Sequence, residues 1–244
     1  MGRAFAAIVL LAGLVVALGV APSSANDAKP VVELFTSQGC ASCPPADALL
    51  VELAARGDVI ALSEHVDYWN YIGWTDPFSD AGGTERQRAY RRALGLPYVY
   101  TPQMVIDGAA EAVGSERSSV EARIAAARAA PHIAIETIRD GDATRVRIPA
   151  GQDVAKGAIV WMIDYDRRHT TEIARGENSG VTLVNANVVR KMRKAATYDG
   201  AALEFKVDPA KLRDAGRSGC TILVQAADGG RIFGAIAIDA DQGS

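Results

Sequence analysis

Apolar runs and helical spacings alternate over the first half of the chain. Short apolar runs typical of buried strands occur at residues 31–35, 59–66 and 103–106. The segment between the first two runs repeats leucine at helical spacing, and residues 79–94 and 118–130 also predict helices. Strands that alternate with helices in this way indicate an α/β sheet with crossover helices.

The pattern changes after Pro131. Strand-like segments separated by Gly, Asp and Asn turns then follow at residues 132–139, 144–148, 157–165, 170–174, 181–189, 201–207, 220–226 and 231–238. Short strands at regular spacing favour an antiparallel sandwich. We therefore expect an α/β domain over residues 26–130 and an all-β, sandwich-like domain over residues 131–244.

The first 25 residues have the pattern of a signal peptide. Arg3 gives a basic start, residues 5–20 are almost entirely apolar, and Ser23-Ser24-Ala25 is the small-residue pattern that a signal peptidase cuts. The apolar run is shorter than the ~18–20 residues that span a bilayer comfortably. We expect cleavage near Ala25 and a periplasmic or secreted protein that meets the membrane only during export.

Charge and composition limit the kinds of molecule that the protein is expected to bind. The formal net charge is −3, and it becomes −4 without residues 1–25, which contain Arg3 and no acid. A weakly acidic chain with scattered Lys and Arg has no electrostatic basis for nucleic-acid binding, so none is expected. Because 49% of the residues are hydrophobic, the chain can form substantial cores.

A pair of cysteines two residues apart follows the first apolar run. Cys40 and Cys43 can close a small disulfide ring, and a helix that begins beside them would favour a negative charge on the first thiol. The alternatives are a structural disulfide and half of a metal site. A disulfide that closes a tiny loop stabilises a fold little, and a metal site needs about four ligands, for which there is no second cysteine pair.

The pair predicts exchange through a mixed disulfide. We expect Cys40, nearer the helix start and more exposed, to attack as a thiolate and Cys43 to resolve the intermediate. An exported protein meets an oxidising compartment, in which a disulfide between the two persists. No cofactor and no bound metal are expected. Cys220 lies in a strand-like segment and is interpreted as a buried free cysteine.

Further candidates follow the second apolar run. His65 and Asp67 lie two residues apart at a strand end and are candidates for tuning Cys40 or moving a proton at Cys43. A hydrogen-bonded pair that closes the strand is the alternative. Trp69 and Trp74, with Tyr68 and Tyr71 nearby, are candidates for a substrate groove, although aromatic side chains more often pack in a core.

The order of these pieces resembles the thioredoxin superfamily over about residues 30–130. The matching residues are Cys40-x-x-Cys43 after a strand, residues 59–67, and Thr101-Pro102 before the third strand. The resemblance implies a thioredoxin-like α/β domain, a cis Pro102 that faces the cysteines, and a Thr101 backbone that pairs with an extended substrate. Ala41-Ser42 between the cysteines and Gly39 before them depart from typical thioredoxins, which leaves the reduction potential open.

The whole chain also resembles a family of secreted bacterial proteins catalogued as domain of unknown function 1223. The matching motifs lie at residues 33–40, 43–47, 65–70, 73–77, 100–108 and 175–178. This resemblance implies a thioredoxin-like fold and export, but no established reaction.

Three functions fit these observations. The first is an exported thiol–disulfide oxidoreductase whose substrate is a polypeptide or small-thiol disulfide, with a possible redox partner protein. The second is a chaperone for Cu(I) or another soft metal that uses Cys40, Cys43 and His65. The third is a non-catalytic envelope binding protein. The direction of the redox reaction is open.

Overall fold

The computed structural model of the protein describes residues 28–151, 154 and 157–241. The elements of this part, in chain order, are β1 (Val31–Thr36), α1 (Pro44–Arg56), β2 (Ile60–His65), α2 (Ala81–Ala93), β3 (Gln103–Ile106), β4 (Ala110–Val113), α3 (Arg117–Arg128), β5 (Glu136–Asp140), β6 (Ala143–Ile148), β7 (Ala158–Glu172), β8 (Thr182–Tyr198), β9 (Leu203–Val207), α4 (Pro209–Asp214), β10 (Gly219–Ala226) and β11 (Ile232–Asp239). No helix among the described residues has the length and hydropathy needed to cross a bilayer. The predicted signal peptide, residues 1–25, lies outside the described residues.

Eight strands form one mixed sheet in the order β11-β10-β7-β8-β2-β1-β3-β4. β1 is parallel to β2, and β2 is parallel to β8, while the other neighbours are antiparallel. A second sheet contains β5, β6 and β9. Its apolar side chains share a core with β7, β10 and β11.

The predicted fold class, an α/β thioredoxin-like domain followed by an all-β sandwich, is wrong. Strands from both sides of Pro131 belong to the same eight-stranded sheet, because β8 joins β2 at Ser63 and Val188. An edge strand presents unpaired N–H and C=O groups that favour pairing with another strand, and β8 pairs with β2 at this position. Pairing between strands so distant in the chain leaves no local periodicity. The domain boundary near Pro131 stays a prediction.

The strands of the central hairpin are longer than the sequence indicates. β7 has fifteen residues and covers two segments that were predicted to be separate, while β8 extends beyond the predicted end of its segment to Tyr198. Charged residues interrupt the apolar alternation of β7 and suggest a break. In the structure Arg217 forms an ion pair with Asp166 at 2.8 Å, so the charged stretch remains in the strand.

Helix α1 follows β1 and the cysteine turn. Its two ends and its apolar face are well defined by the sequence. Pro44 and Pro45 occupy the first turn, where no intrahelical N–H is needed, and Gly57 ends the helix with φ 72°. The leucines of α1 pack with α3 against one face of β1 and β3. Helix α2 packs on the opposite face, where Tyr90 contacts Phe35.

A buried ionic network fixes α2 to the sheet. The Arg86 guanidinium contacts Glu33 from β1, lies 3.6 Å from a carboxyl oxygen of Glu64 in β2, and donates to the Tyr90 hydroxyl at 2.9 Å. The Tyr90 hydroxyl also donates to Glu33. Burial is the main reason that the pKa of Glu64 rises to about 8, which the nearby Arg86 opposes. The Arg86 guanidinium therefore lies beside two buried carboxyl groups, those of Glu33 and Glu64.

Candidate functional site

Cys40 and Cys43 form a disulfide in the turn between β1 and α1, with their Cα atoms 5.4 Å apart. Cys43 is the N-cap of α1, and its carbonyl accepts hydrogen bonds from the N–H groups of Ala46 and Asp47. Cys40 is 1% exposed and Cys43 is 0% exposed. The predicted disulfide is present, but both cysteines are buried in it, and Cys43 is the one nearer the helix start.

A chain of hydrogen bonds links the disulfide to the loop before β3. Trp69 Nε1 donates to Thr101 Oγ1 at 2.7 Å, and that hydroxyl donates to Cys40 Sγ at 3.2 Å. Ser42 Oγ lies 3.4 Å from the same sulfur. The Thr101–Pro102 peptide bond is cis. Three of the residues predicted for the site, Trp69, Thr101 and Cys40, are therefore linked by two consecutive hydrogen bonds.

Gln38 connects the cysteine turn to two other parts of the structure. Its backbone N–H donates to Asp76 at 2.8 Å, and its side-chain oxygen accepts from Trp74 Nε1 at 3.1 Å. Its side-chain nitrogen donates to Thr171 in β7 and to Asn185 in β8. The predicted site residue Trp74 thus lies beside the turn that carries the disulfide.

The loop between β7 and β8 holds the cysteine turn from the other side. Asn178 Nδ2 donates to the carbonyl oxygens of Gln38 and Cys40, at 2.9 and 3.0 Å. The loop can approach Trp74 because residue 176 is a glycine. Gly176 has φ +82°, and a Cβ atom there would lie only 3.2 Å from Trp74 Cβ. The second half of the chain therefore contributes directly to the site.

His65 and Asp67 belong to different networks. His65 Nδ1 lies 2.7 Å from Asp76 Oδ2, and its ring packs edge-on against Phe78. Asp67 Oδ1 accepts from the Thr84 hydroxyl at 2.6 Å, which holds the start of α2. Burial alone would raise the pKa of Asp76, but His65 and the backbone N–H groups of Gln38 and Phe78 hold it below its ordinary value.

A buried carboxyl group lies on the first turn of α1, below the disulfide. Asp47 is 3% exposed, and neither of its carboxyl oxygens has a hydrogen-bond partner among the described residues. Three other buried side-chain atoms in this region also have no hydrogen-bond partner among the described residues: Thr36 Oγ1, His65 Nε2 and Asn185 Nδ2. Burial raises the pKa of Asp47 to about 7; His65, Thr36 and Asn185 oppose the shift, and the negative charge of Asp76 adds to it.

The raised pKa values of the buried acids Asp47 and Glu64 predict that the protein loses stability as pH rises. Asp47 and Glu64 have ordinary pKa values of 3.8 and 4.5 and folded values of about 7 and about 8. Between these limits the folded state binds more protons than the unfolded state, so the free energy of unfolding falls with increasing pH. An Asp47→Asn variant should therefore be more stable than the wild type at about pH 8, by on the order of 2–4 kcal/mol, and should differ little at about pH 4.

Denaturant unfolding of the oxidised proteins at several pH values measures this difference. Glu52→Gln is a matched control, because Glu52 is an exposed acid on the same helix, paired with Arg117 at 2.8 Å. It should follow the wild type at every pH. A difference between Asp47→Asn and wild type that is constant with pH would contradict the prediction.

Four residues of the site carried no role in the sequence analysis: Gln38, Asp47, Asp76 and Asn178. Asp47 has a recognisable signal, since it is an acid at helical spacing with Leu50 and Leu53, within the apolar face of α1. Gln38, Asp76 and Asn178 lie in the motifs of the family resemblance, but no local pattern brings them together. Within the described part of the chain, no group of three or more Cys, His, Asp or Glu side chains has the arrangement of a metal site.

A cavity of about 1070 Å³ lies near the other end of α1. It borders the C-terminal half of this helix at Val51, Ala54 and Ala55 and the start of β2 at Ile60. The disulfide lies at the N-terminal end of α1. The cavity and the cysteine site are therefore separate features.

Comparison with solved structures finds similar folds. The chain is 33% identical to protein AGR_C_4864 from Agrobacterium tumefaciens, with a TM-score of 0.77 and coverage of 89% of this chain and 96% of that one. HBP35 of Porphyromonas gingivalis is 11% identical, with a TM-score of 0.58 and coverage of 89% and 77%, a likeness of fold alone. A search of curated proteins found no match.

One family model matches most of the sequence. Its description is "Protein of unknown function (DUF1223)", and it matches residues 31–225, which include the cysteine pair, Thr101-Pro102 and Asn178. The chain belongs to the DUF1223 family.

Proposed function

We propose that this protein is an exported thiol–disulfide oxidoreductase that acts through Cys40, Cys43 and a mixed disulfide. The observation that carries the proposal is the setting of the disulfide. It encloses only Ala41 and Ser42, so it constrains the unfolded chain little, yet hydrogen bonds from Thr101 and Asn178 converge on it. A bond that stabilises the fold so little is better explained by its chemistry.

The chemistry is two exchange steps. A substrate thiolate attacks Cys40 Sγ, the Cys40–Cys43 bond breaks, and the electron pair of that bond leaves on Cys43. A second substrate thiolate then attacks the substrate sulfur of the mixed disulfide, forms the substrate disulfide and releases the Cys40 thiolate. In the reducing direction, the Cys40 thiolate attacks a substrate disulfide and releases one substrate thiolate, and the Cys43 thiolate then attacks Cys40 Sγ and releases the other. The N–H groups at the start of α1 favour negative charge beside the pair. The proposal covers both directions, since the reduction potential decides which one prevails.

Two further features support the proposal. Thr101 contacts Cys40, so its backbone would hold an extended polypeptide beside the disulfide, and Trp69 and Trp74, which bind Thr101 and Gln38, would give that polypeptide apolar contact. Export, as proposed from the signal-peptide pattern of residues 1–25, would bring the pair into a compartment where disulfides persist.

Reaction of the reduced protein with a fluorescence-quenched peptide disulfide tests this function. We expect disulfide exchange at a rate that exceeds that of glutathione at equal thiol concentration, because the site orients and activates Cys40. Equilibration with glutathione buffers then gives the potential, which separates a reductase near thioredoxin from a strong oxidant. A protein whose disulfide equilibrates with glutathione but that neither reduces nor oxidises peptide substrates would instead be a binding module.

A further inference from the structure

The cavity beside the C-terminal half of α1 is large and mainly aliphatic. Its volume of about 1070 Å³ lies at the upper end of the range for small-molecule sites, about 300–1,000 Å³. Fourteen of the 22 described residues that line it are Ala, Val or Ile, and only Tyr165 and His132 carry a ring. Such a lining fits a flexible aliphatic chain better than a flat aromatic ligand, which favours stacking on aromatic side chains.

Two buried hydroxyl groups in the lining lack hydrogen-bond partners. Thr221 is 0% exposed, and its Oγ1 has no partner among the described residues. Tyr165 is 8% exposed, and its hydroxyl forms no hydrogen bond within the described part of the chain. The two residues share one face of neighbouring strands, because Thr221 of β10 pairs with Ile163 of β7. A buried hydroxyl without a partner costs free energy, which a bound molecule with an acceptor oxygen would recover.

Two cations without an acidic partner border the cavity. Arg168 is the strand neighbour of Ala186 in β8, and Asn187, the next residue, donates to the Ala61 carbonyl in β2 at 2.9 Å. Lys29 lies beside the start of β2, where the carbonyl of the next residue accepts from the first N–H group of that strand. Both Arg168 and Lys29 are exposed, and neither forms an ion pair with another described residue.

The charge of the lining favours an anionic ligand. The described lining contains three basic side chains and one acidic side chain: Lys29, Arg167, Arg168 and Glu136. Arg167 is paired with Asp239 at 2.6 Å, and Glu136 lies 3.6 Å from Arg147. The other two cations therefore remain for a ligand, in a chain whose net charge is −3. A local excess of positive charge attracts a negatively charged ligand.

We propose that this cavity binds an aliphatic carboxylate of the fatty-acid type. The carboxylate lies on the β7 side, where Arg168 supplies positive charge and the hydroxyl groups of Tyr165 and Thr221 can donate to its oxygen atoms. The aliphatic chain lies against the Ala, Val and Ile side chains of α1, residues 133–135 and β11. This binding function is additional to the disulfide chemistry, because the cavity and the cysteine turn lie at opposite ends of α1.

Isothermal titration calorimetry of the delipidated protein with decanoate tests the proposal. We expect saturable binding of one decanoate per chain. Decanol has the same chain without the charge, so it should bind about threefold or more weakly at low ionic strength, and the difference should shrink at high salt. A protein that binds no decanoate, or that binds decanol as tightly as decanoate at low salt, would overturn the proposal.

A variant that fills the cavity tests its position. Ala237 is an exposed lining residue opposite Thr221, so Ala237→Phe adds a ring to the cavity and should weaken decanoate binding by about tenfold or more. Ala195→Phe is the matched control, because Ala195 is exposed in β8 and lies outside the described lining. It should bind like the wild type. Unchanged affinity in a folded Ala237→Phe protein would contradict this position.

A second variant tests the charge and does not depend on how Ala237→Phe folds. Arg168→Gln should weaken decanoate binding about threefold to tenfold and leave decanol binding unchanged. Lys194→Gln, an exposed position of β8 outside the described lining, makes the same change in net charge and should match the wild type. Equal losses for decanoate and decanol in Arg168→Gln would refute the role of the carboxylate.

The binding proposal and the proposed function can fail separately. Cys40→Ser lacks the disulfide but keeps the whole described lining, so it should bind decanoate with wild-type affinity. Loss of decanoate binding in this variant would show that the cavity depends on the cysteine turn and would contradict a separate site.

Discussion

Replacing Cys40 with serine should abolish disulfide exchange, whereas replacing Cys43 should trap the protein on its substrate. A serine hydroxyl neither attacks a disulfide at neutral pH nor forms a mixed disulfide, so Cys40→Ser should lose exchange activity by about a thousandfold or more. Cys43→Ser keeps the sulfur that Thr101 contacts but lacks the thiol that resolves the intermediate. It should therefore accumulate a covalent adduct between Cys40 and a peptide thiol.

Exchange kinetics and the intact mass of the reaction products measure both effects. Cys220→Ser is the matched control, because Cys220 is buried in β10 and burial raises the pKa of its thiol to about 12, which makes it a poor nucleophile. This variant should keep the wild-type rate. Adducts that form on Cys43 in Cys40→Ser, at the rate seen for Cys40 in Cys43→Ser, would reverse the assigned roles.

Replacing Arg86 with methionine should cost about 3–5 kcal/mol of unfolding free energy. Arg86 is the cation that serves Glu33 and Glu64, and it also donates to Tyr90 and Gln225. Methionine keeps much of the side-chain volume but removes the guanidinium that contacts Glu33 and lies beside Glu64. Because these acids lie in β1 and β2, the loss of stability should affect the sheet that carries the cysteine turn.

Denaturant unfolding measures this loss. Arg88→Met, on the same helix, is the control, because Arg88 is exposed and forms an ion pair with Glu85 at 2.6 Å on the surface. Such pairs contribute about 0–1 kcal/mol, so this variant should remain close to the wild type. Equal destabilisation by the two substitutions would show that the buried network is not what secures α2.

The local part of the site could be predicted from the sequence. The strand, the cysteine pair and the helix that follows are contiguous, so apolar periodicity and two prolines are enough to define them. The cis Thr101–Pro102 bond also agrees with its expectation, although that expectation came from a resemblance and not from the residues themselves. Contiguous elements are predictable because short-range sterics and hydrogen bonds determine them.

The shape of the sheet could not be predicted in this way. The change of pattern after Pro131 suggested a separate sandwich, but β8 continues the sheet that contains β1 and β2. Strand pairing depends on backbone groups that every residue possesses, so the partner of an edge strand is not encoded in its own side chains. For the same reason the contact of Asn178 with the Cys40 carbonyl had no local signal.

The sequence by itself therefore determined the chemistry that this protein carries: a cysteine pair between a strand and a helix, with a signal-peptide pattern before it. Only the tertiary structure decided the environment of that pair. It buried both sulfur atoms, held the turn with Gln38 and Asn178, and brought Asp47 and His65 together beneath it. Burial and long-range contacts depend on how distant segments of the chain pack. Because burial and these contacts determine the pKa and the accessibility of a thiol more than its sequence neighbours do, only the tertiary structure could decide them.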